Sequence, residues 1–236
     1  MTSIWAVVPA AGAGSRFGGE RPKQYVDVAG QPLIAHALDA LLAHPAVEGA
    51  MVALAADDLQ WPGWTARHGK PVRTCIGGGD RASSVLAALE ALAADRGDDV
   101  LVLVHDAARA CLDMHDVDRL IAAARACTDG ALLAAPVRDT LKRVDADGRS
   151  AGTEPREHLW RAFTPQAARL GTLRDALRAA LHDGIAVTDE AMALERAGLR
   201  PRLVEGREDN IKLTTPSDLG LVASILARRA RTAESP

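Results

Sequence analysis

Residues 100–105 read Val-Leu-Val-Leu-Val-His, an almost unbroken apolar run with no alternation of polar and apolar positions. A strand of this kind is stable only where both faces of its sheet are covered, as happens when helices cross over a parallel sheet. The rest of the chain keeps the same rhythm. Residues 4–9, 49–55, 72–76 and 131–137 are further short apolar runs. Helical spacing fills the gaps, with Leu33, Ile34, Ala37, Leu38, Leu41 and Leu42 in residues 32–44 and Val85, Leu86, Leu89, Leu92 and Ala93 in residues 81–95. Asp113 stands where it would cap a helix reaching Cys127. Repeated strand–helix alternation predicts a three-layer α/β fold with a mainly parallel sheet. Ligands of such sheets sit outside the carboxyl ends of the strands.

The rhythm breaks after Pro136. Residues 140–161 are polar and carry the turn signal Asp145-Ala146-Asp147-Gly148, so a β-hairpin arm is expected to leave the domain here. Helices are then predicted over 166–182 and 189–197, a strand near 201–205, and a last helix from Pro216 to about Arg229, followed by a frayed tail. The 236 residues are read as one domain with 138–161 protruding as the arm.

Composition excludes several classes. Aromatics are only 3%, which leaves few stacking platforms for single-stranded nucleic acid, and the net charge of -3 argues against any general nucleic-acid or membrane-surface partner. An anionic ligand must therefore be met by local Arg and Lys. The three cysteines, Cys75, Cys111 and Cys127, lack the spacing of a disulfide framework or a zinc site. With no apolar stretch of membrane length and no signal peptide, the expected location is cytoplasmic.

The first strand runs into Pro9-Ala10-Ala11-Gly12-Ala13-Gly14-Ser15-Arg16-Phe17-Gly18, small residues that let backbone N–H groups approach an anion. The spacing is not that of a Walker loop, and Phe17 occupies the place of the third small residue of a dinucleotide fingerprint. An ordinary Gly-rich turn remains open on spacing alone. Arg16 inside the turn and Lys23 just after it are what a triphosphate site requires. Asp106 ends the apolar run at 100–105, where it could ligate a metal, meet a ribose or substrate hydroxyl, or cap the next helix. His105 is read as packed beside the strand end rather than catalytic. Gly77, Gly78 and Gly79 follow the third strand as either a flexible loop or a close-approach surface.

These segments, taken in order, resemble the 2-C-methyl-D-erythritol 4-phosphate cytidylyltransferases. The resemblance rests on Pro9-Ala10-Ala11-Gly12-x-Gly14-x-Arg16, Pro22-Lys23-Gln24-Tyr25, Gly77-Gly78-Gly79-Asp80-Arg81 with Ser84-Val85, and His105-Asp106-Ala107-Ala108-Arg109. It continues through Ala135-Pro136-Val137-Arg138-Asp139-Thr140, Thr164-Pro165-Gln166, Thr188-Asp189-Glu190, and Val204-Glu205-Gly206-Arg207 to Asp209-Asn210-Ile211-Lys212. It departs from the family pattern at Ser15 and Phe17, neither of which removes a needed charge.

The resemblance implies a Rossmann-like nucleotidyltransferase fold and transfer of a cytidylyl group from CTP to 2-C-methyl-D-erythritol 4-phosphate, with Mg²⁺ as cofactor. It implies that Arg16 and Lys23 are catalytic around the triphosphate. Pro9, Ala10, Ala11, Gly12, Gly78, Gly79, Ser84, Asp106 and Ala107 would bind CTP. Lys212, Arg156, Asp106, Arg109, Thr140 and Thr188 would position the acceptor, and Asp106 is the candidate metal ligand. It further implies a homodimer with interlocking arms. A ribitol 5-phosphate cytidylyltransferase is the nearest alternative. An NAD-dependent oxidoreductase and a non-enzymatic nucleotide-binding regulator are the alternatives of other classes. Some relatives are fused to a second enzyme of the same pathway; with the chain ending at Pro236, none is expected here.

Overall fold

The computed structural model describes residues 2–12, 17 and 22–234. Its centre is an eight-stranded sheet in the order β12-β8-β11-β7-β1-β4-β6-β5. The first strands are β1 (Ile4–Pro9), the short pair β2 (Asp27–Val28) and β3 (Gln31–Pro32), β4 (Gly49–Leu54), β5 (Ala66–Arg67) and β6 (Lys70–Ile76). They are followed by β7 (Leu101–Val104), β8 (Ala131–Pro136), β9 (Leu141–Val144), β10 (Ser150–Glu154), β11 (Trp160–Arg169) and β12 (Arg202–Glu205). The helices are α1 (Leu33–Leu42), α2 (Arg81–Ala93), α3 (Met114–Ala126), α4 (Leu170–His182), α5 (Glu190–Arg196) and α6 (Asp218–Glu234).

Both faces of the sheet are covered, as the unbroken apolar runs require. Leu101 and Leu103 of β7 point with Ile4, Ala6 and Val8 of β1 into a core closed by α1 and α3. Val102 and Val104 point with Trp5 and Val7 into a second core closed by α2, α4 and α5. Each leucine or valine removed from water this way contributes on the order of 1.5–3 kcal/mol. A third, smaller cluster seats α6, through Val222 and Ile225, on Ala108, Cys111 and Leu213. Three helices start at aspartates whose side chains accept from the first turn: Asp80 from Ser83 N, Asp113 from His115 N, and Asp189 from Met192 N.

The sheet is parallel from β6 through β4 and β1 to β7, and again between β8 and β12. It is interrupted by β11, which runs antiparallel between β7 and β8. This strand is the main departure from expectation, because a helix was predicted to begin at Gln166. Ala167 and Ala168 favour a helix intrinsically. Here Ala167 pairs on both edges, with Leu103 and Ala131, and Ala168 pairs with Val102, and their burial overrides propensity. The helix starts instead at Leu170.

The polar segment after Pro136 does form a hairpin, β9 with β10, around Asp145, whose carboxylate accepts from Asp147 N and Arg149 N at 3.0 and 2.8 Å. Trp160 and Arg161 are not part of it; they pair with Pro136 and Ala135 in the main sheet. The last helix opens at Asp218, whose carboxylate accepts from Thr214 N and Thr215 N, and it continues to Glu234 where a frayed tail was expected. No helix among the described residues is long and apolar enough to cross a membrane.

Candidate active site

The carboxyl ends of β1, β6 and β7 open into a cleft of about 570 Å³. The loop after β1 enters it with Pro9, Ala10, Ala11 and Gly12. Its backbone is held on two sides, by the Ala10 N–H donating to the Ala53 carbonyl at 2.8 Å and by the buried Gln24 amide donating to the Ala10 carbonyl at 2.7 Å. Gln24 belongs to the 3-10 turn Lys23–Tyr25, so the same contact fixes the residue before it. Lys23 lines the cleft, with Nζ 3.5 Å from the Leu213 carbonyl.

The opposite wall follows β6. A Cβ on Gly77 would lie 2.7 Å from Ala11 Cβ and 2.9 Å from Ser84 Oγ, so only glycine lets the two loops meet. Ser84 Oγ donates to the Asp80 carbonyl at 2.7 Å and accepts from Gly78 N at 3.1 Å. The loop is thereby tied to the first turn of α2, which excludes the reading of a loose glycine loop. Gly78, Gly79 and Ser84 all line the cleft.

Asp106 and Ala107 form its floor. One side of the Asp106 carboxylate accepts from Arg81 Nε at 2.8 Å, and the other lies 2.7 Å from Lys212 Nζ. The Lys212 segment is brought there by Leu213 N donating to the Ala108 carbonyl at 2.8 Å and by Asn210 Nδ2 donating to the Thr164 carbonyl at 2.9 Å. Burial would raise the Asp106 pKa, but Arg81 and Lys212 outweigh it and hold the carboxyl well below the usual carboxylate range. Behind this pair, Glu190 accepts from both terminal nitrogens of Arg81, at 2.6 and 3.0 Å. Burial pushes the Glu190 pKa up and Arg81 opposes it. Two oxygens accepting from one guanidinium describe a carboxylate.

His105 is buried and neutral. Its Nε2 donates to the Arg109 carbonyl at 3.0 Å, so Nδ1 accepts from Thr164 Oγ1, which in turn accepts from Asp106 N at 3.0 Å. Burial drives its pKa down to about 4. The histidine orients the backbone of Asp106 and does not face the cleft, as read from the sequence.

Of the residues singled out in the sequence, Pro9, Ala10, Ala11, Gly12, Lys23, Gly78, Gly79, Ser84, Asp106, Ala107 and Lys212 share this one cleft. Arg109 lies just behind it, buried, with Nε 3.8 Å from Asp106 and Nη1 on the Asn210 carbonyl. Arg16 falls outside the described residues. Thr140, Thr188 and Arg156 are exposed and do not line the cleft of their own chain; Arg156 donates to the Arg138 carbonyl, and Thr188 Oγ1 lies 3.5 Å from Met192 Sδ. Sequence reading assigned no role to Arg81 or Glu190, although both stand inside segments that carry the resemblance. Their pairing spans 109 positions, and nothing local announces it.

Among the described residues no group of three or more His, Cys, Asp or Glu is arranged to hold a metal. Among the described residues, the carboxylates lining the cleft are Asp80, which caps α2, and Asp106. That donor set suits a Mg²⁺ carried mainly by phosphate oxygens with at most one or two protein ligands.

Comparison with known proteins agrees with this geometry. The family described as IspD, 2-C-methyl-D-erythritol 4-phosphate cytidylyltransferase, matches residues 4–228. A 2-C-methyl-D-erythritol 4-phosphate cytidylyltransferase of Stenotrophomonas maltophilia is 60% identical over 97% of this chain and 98% of its own length. The crystal structure of a 4-diphosphocytidyl-2C-methyl-D-erythritol synthase superposes with a TM-score of 0.81 at 34% identity, covering 96% of this chain and 99% of that one. The Francisella tularensis 2-C-methyl-D-erythritol 4-phosphate cytidylyltransferase gives a TM-score of 0.81 at 30% identity, covering 95% and 100%. The chain belongs to the 2-C-methyl-D-erythritol 4-phosphate cytidylyltransferase family.

Proposed function

We propose that the cleft binds CTP and 2-C-methyl-D-erythritol 4-phosphate and transfers the cytidylyl group between them. A phosphate oxygen of the acceptor attacks the α-phosphorus in line; the bond from that phosphorus to the β-phosphate bridging oxygen breaks, and pyrophosphate leaves. A phosphate monoester with a second pKa near ~6 is already largely dianionic at neutral pH, so no general base is required. The obstacle is bringing two anions together, and the chain's contribution is positive charge held in fixed places.

The observation that carries the reading is the convergence on one cleft of two lysines from distant segments, Lys23 and Lys212, between two small-residue backbones, Ala10 to Gly12 and Gly78 to Gly79. Small side chains leave room for a flat base, and backbone carbonyls can accept from the exocyclic amine of cytosine. Lys23, with Arg16, neutralises the triphosphate. Lys212, held by Asp106, meets the acceptor phosphate. Asp106 would be the protein ligand of a Mg²⁺ bound here, which would supply further charge neutralisation to the triphosphate. Arg109 supports the Asp106 and Lys212 segments from behind.

The working unit in this reading is a homodimer. The β9–β10 strands are exposed along nearly their whole length, and an isolated two-stranded hairpin is marginal in water. Packing of each arm on a second copy would cover it and bring Arg156 and Thr140 to the neighbour's cleft. The test is an assay of the purified chain with Mg²⁺ and CTP. Pyrophosphate should appear only when 2-C-methyl-D-erythritol 4-phosphate is added. Faster turnover of ribitol 5-phosphate would reassign the acceptor, and binding of NAD without CTP would overturn the reading.

A further inference from the structure

Glu190 is buried behind the cleft and does not line it; it reaches the cleft through Arg81, which does. A buried carboxylate bound to a single guanidinium seldom adds net stability over an apolar pair, so its presence invites another explanation. The first turn that carries it is rigidly set. Gln166, on β11, donates to Asp189 Oδ2 at 2.9 Å and accepts from Ala191 N at 2.7 Å, one residue to either side of Glu190.

Arg81 has donors on Nε and on both terminal nitrogens. Glu190 accepts one N–H from each of Nη1 and Nη2 and so fixes the plane of the guanidinium, whose Nε donates to Asp106 Oδ1. With Oδ1 held there, Oδ2 meets Lys212 Nζ at 2.7 Å. Without the Glu190 anchor the guanidinium would be free to turn, and the Asp106 carboxylate with it. Lys212 Nζ would no longer be held in one place. We propose that Glu190 is a positioning residue that fixes Arg81 and, through it, the Asp106 carboxylate, setting the acceptor-phosphate lysine in place. This rests on reading the cleft as a cytidylyltransferase site with Lys212 on the acceptor.

The test replaces Glu190 by Gln, which keeps shape but leaves one acceptor and turns a donor toward Arg81. Steady-state kinetics give kcat and the acceptor KM, and calorimetric titration gives the CTP Kd. The acceptor KM should rise about tenfold or more while the CTP Kd stays within about twofold, since most of the proposed CTP contacts, on the β1 loop and at Gly78, Gly79 and Ser84, are made by groups that Glu190 does not hold. In a Lys212→Ala background the same replacement should alter the acceptor KM by no more than about twofold, because its effect runs through that lysine. A residue that merely stabilises the fold would add its effect in both backgrounds. If Glu190→Gln does not fold, Glu190→Asp carries the test: the charge stays, the shorter side chain cannot hold both nitrogens, and the acceptor KM should again rise with CTP Kd unchanged. An unchanged acceptor KM, equal changes for both substrates, or additivity with Lys212→Ala overturns the proposal while the cleft's function stands. A wild-type chain inactive on 2-C-methyl-D-erythritol 4-phosphate overturns the functional reading and this proposal with it.

Discussion

Lys23 and Lys212 line the same cleft, and the proposed function gives them different partners, so their replacement should separate accordingly. Lys23 stands on a turn fixed by Gln24 beside the β1 loop, where the proposed reaction places the triphosphate. Lys23→Ala should lower kcat roughly a hundredfold or more, the usual consequence of removing one positioned charge donor. Lys212 is held by Asp106, so Lys212→Ala should raise the acceptor KM and spare CTP affinity. A near-normal kcat for Lys23→Ala would remove the triphosphate from that end of the cleft.

His105 makes a different prediction, about acid. An unfolded histidine binds its proton near pH 6.5, whereas burial holds the folded one down to about 4. Between those values the unfolded chain binds a proton that the native chain does not, so acidification destabilises. The loss begins as pH falls below the unfolded value and reaches at most about 3 kcal/mol once pH is below the folded one. Urea midpoints measured from pH 7 to 5 should fall for the wild type, and His105→Gln should flatten that slope even though it is less stable at every pH. Equal slopes would show that His105 already carries a proton in the native state.

The elements were legible where one local rule decides them. Asp113 before a helical stripe was sufficient to place α3, and the structure has its carboxylate accepting from His115 N at 3.0 Å. Asp113→Ala should cost about 1 kcal/mol in urea denaturation with kcat unchanged; a loss above a few kcal/mol would mean that its contact with Arg207, at 3.8 Å, matters more than the cap. The loops around Ala10 to Gly12 and Gly78 to Gly79 were singled out through the resemblance, since small residues after a strand by themselves left an ordinary Gly-rich turn or a flexible loop open. What escaped was decided by partners distant in sequence. Strand β11 looks helical through Ala167 and Ala168 until β7 and β8 are present on either side. Arg81 and Glu190 are two unremarkable charges until the fold joins the starts of α2 and α5. The arm was visible as a polar interruption, but its end was not, because Trp160 and Arg161 join the sheet only through pairing with β8.

At the scale of the whole molecule, one chain holds Lys23 in its cleft and leaves Arg156 outside it. The resemblance assigns both to one reaction. These facts are compatible if two copies assemble so that each arm serves the other's cleft, and the arrangement has a consequence that no cis arrangement shares. Homodimers of Lys23→Ala and of Arg156→Ala should each be nearly inactive. Let the two be mixed and allowed to exchange subunits. In a mixed dimer the cleft of the Lys23→Ala chain receives the altered arm and carries both lesions. The cleft of the Arg156→Ala chain keeps its own Lys23 and receives an intact arm. Random exchange of equal amounts makes half the dimers mixed, with one intact site in each, so activity should climb to roughly a quarter of the wild type. If Arg156 serves its own chain, every cleft keeps one lesion and mixing restores nothing. Absence of rescue, with mixed dimers confirmed by mass spectrometry, refutes the trans arm; a chain that sediments as a monomer at assay concentration refutes the dimer itself.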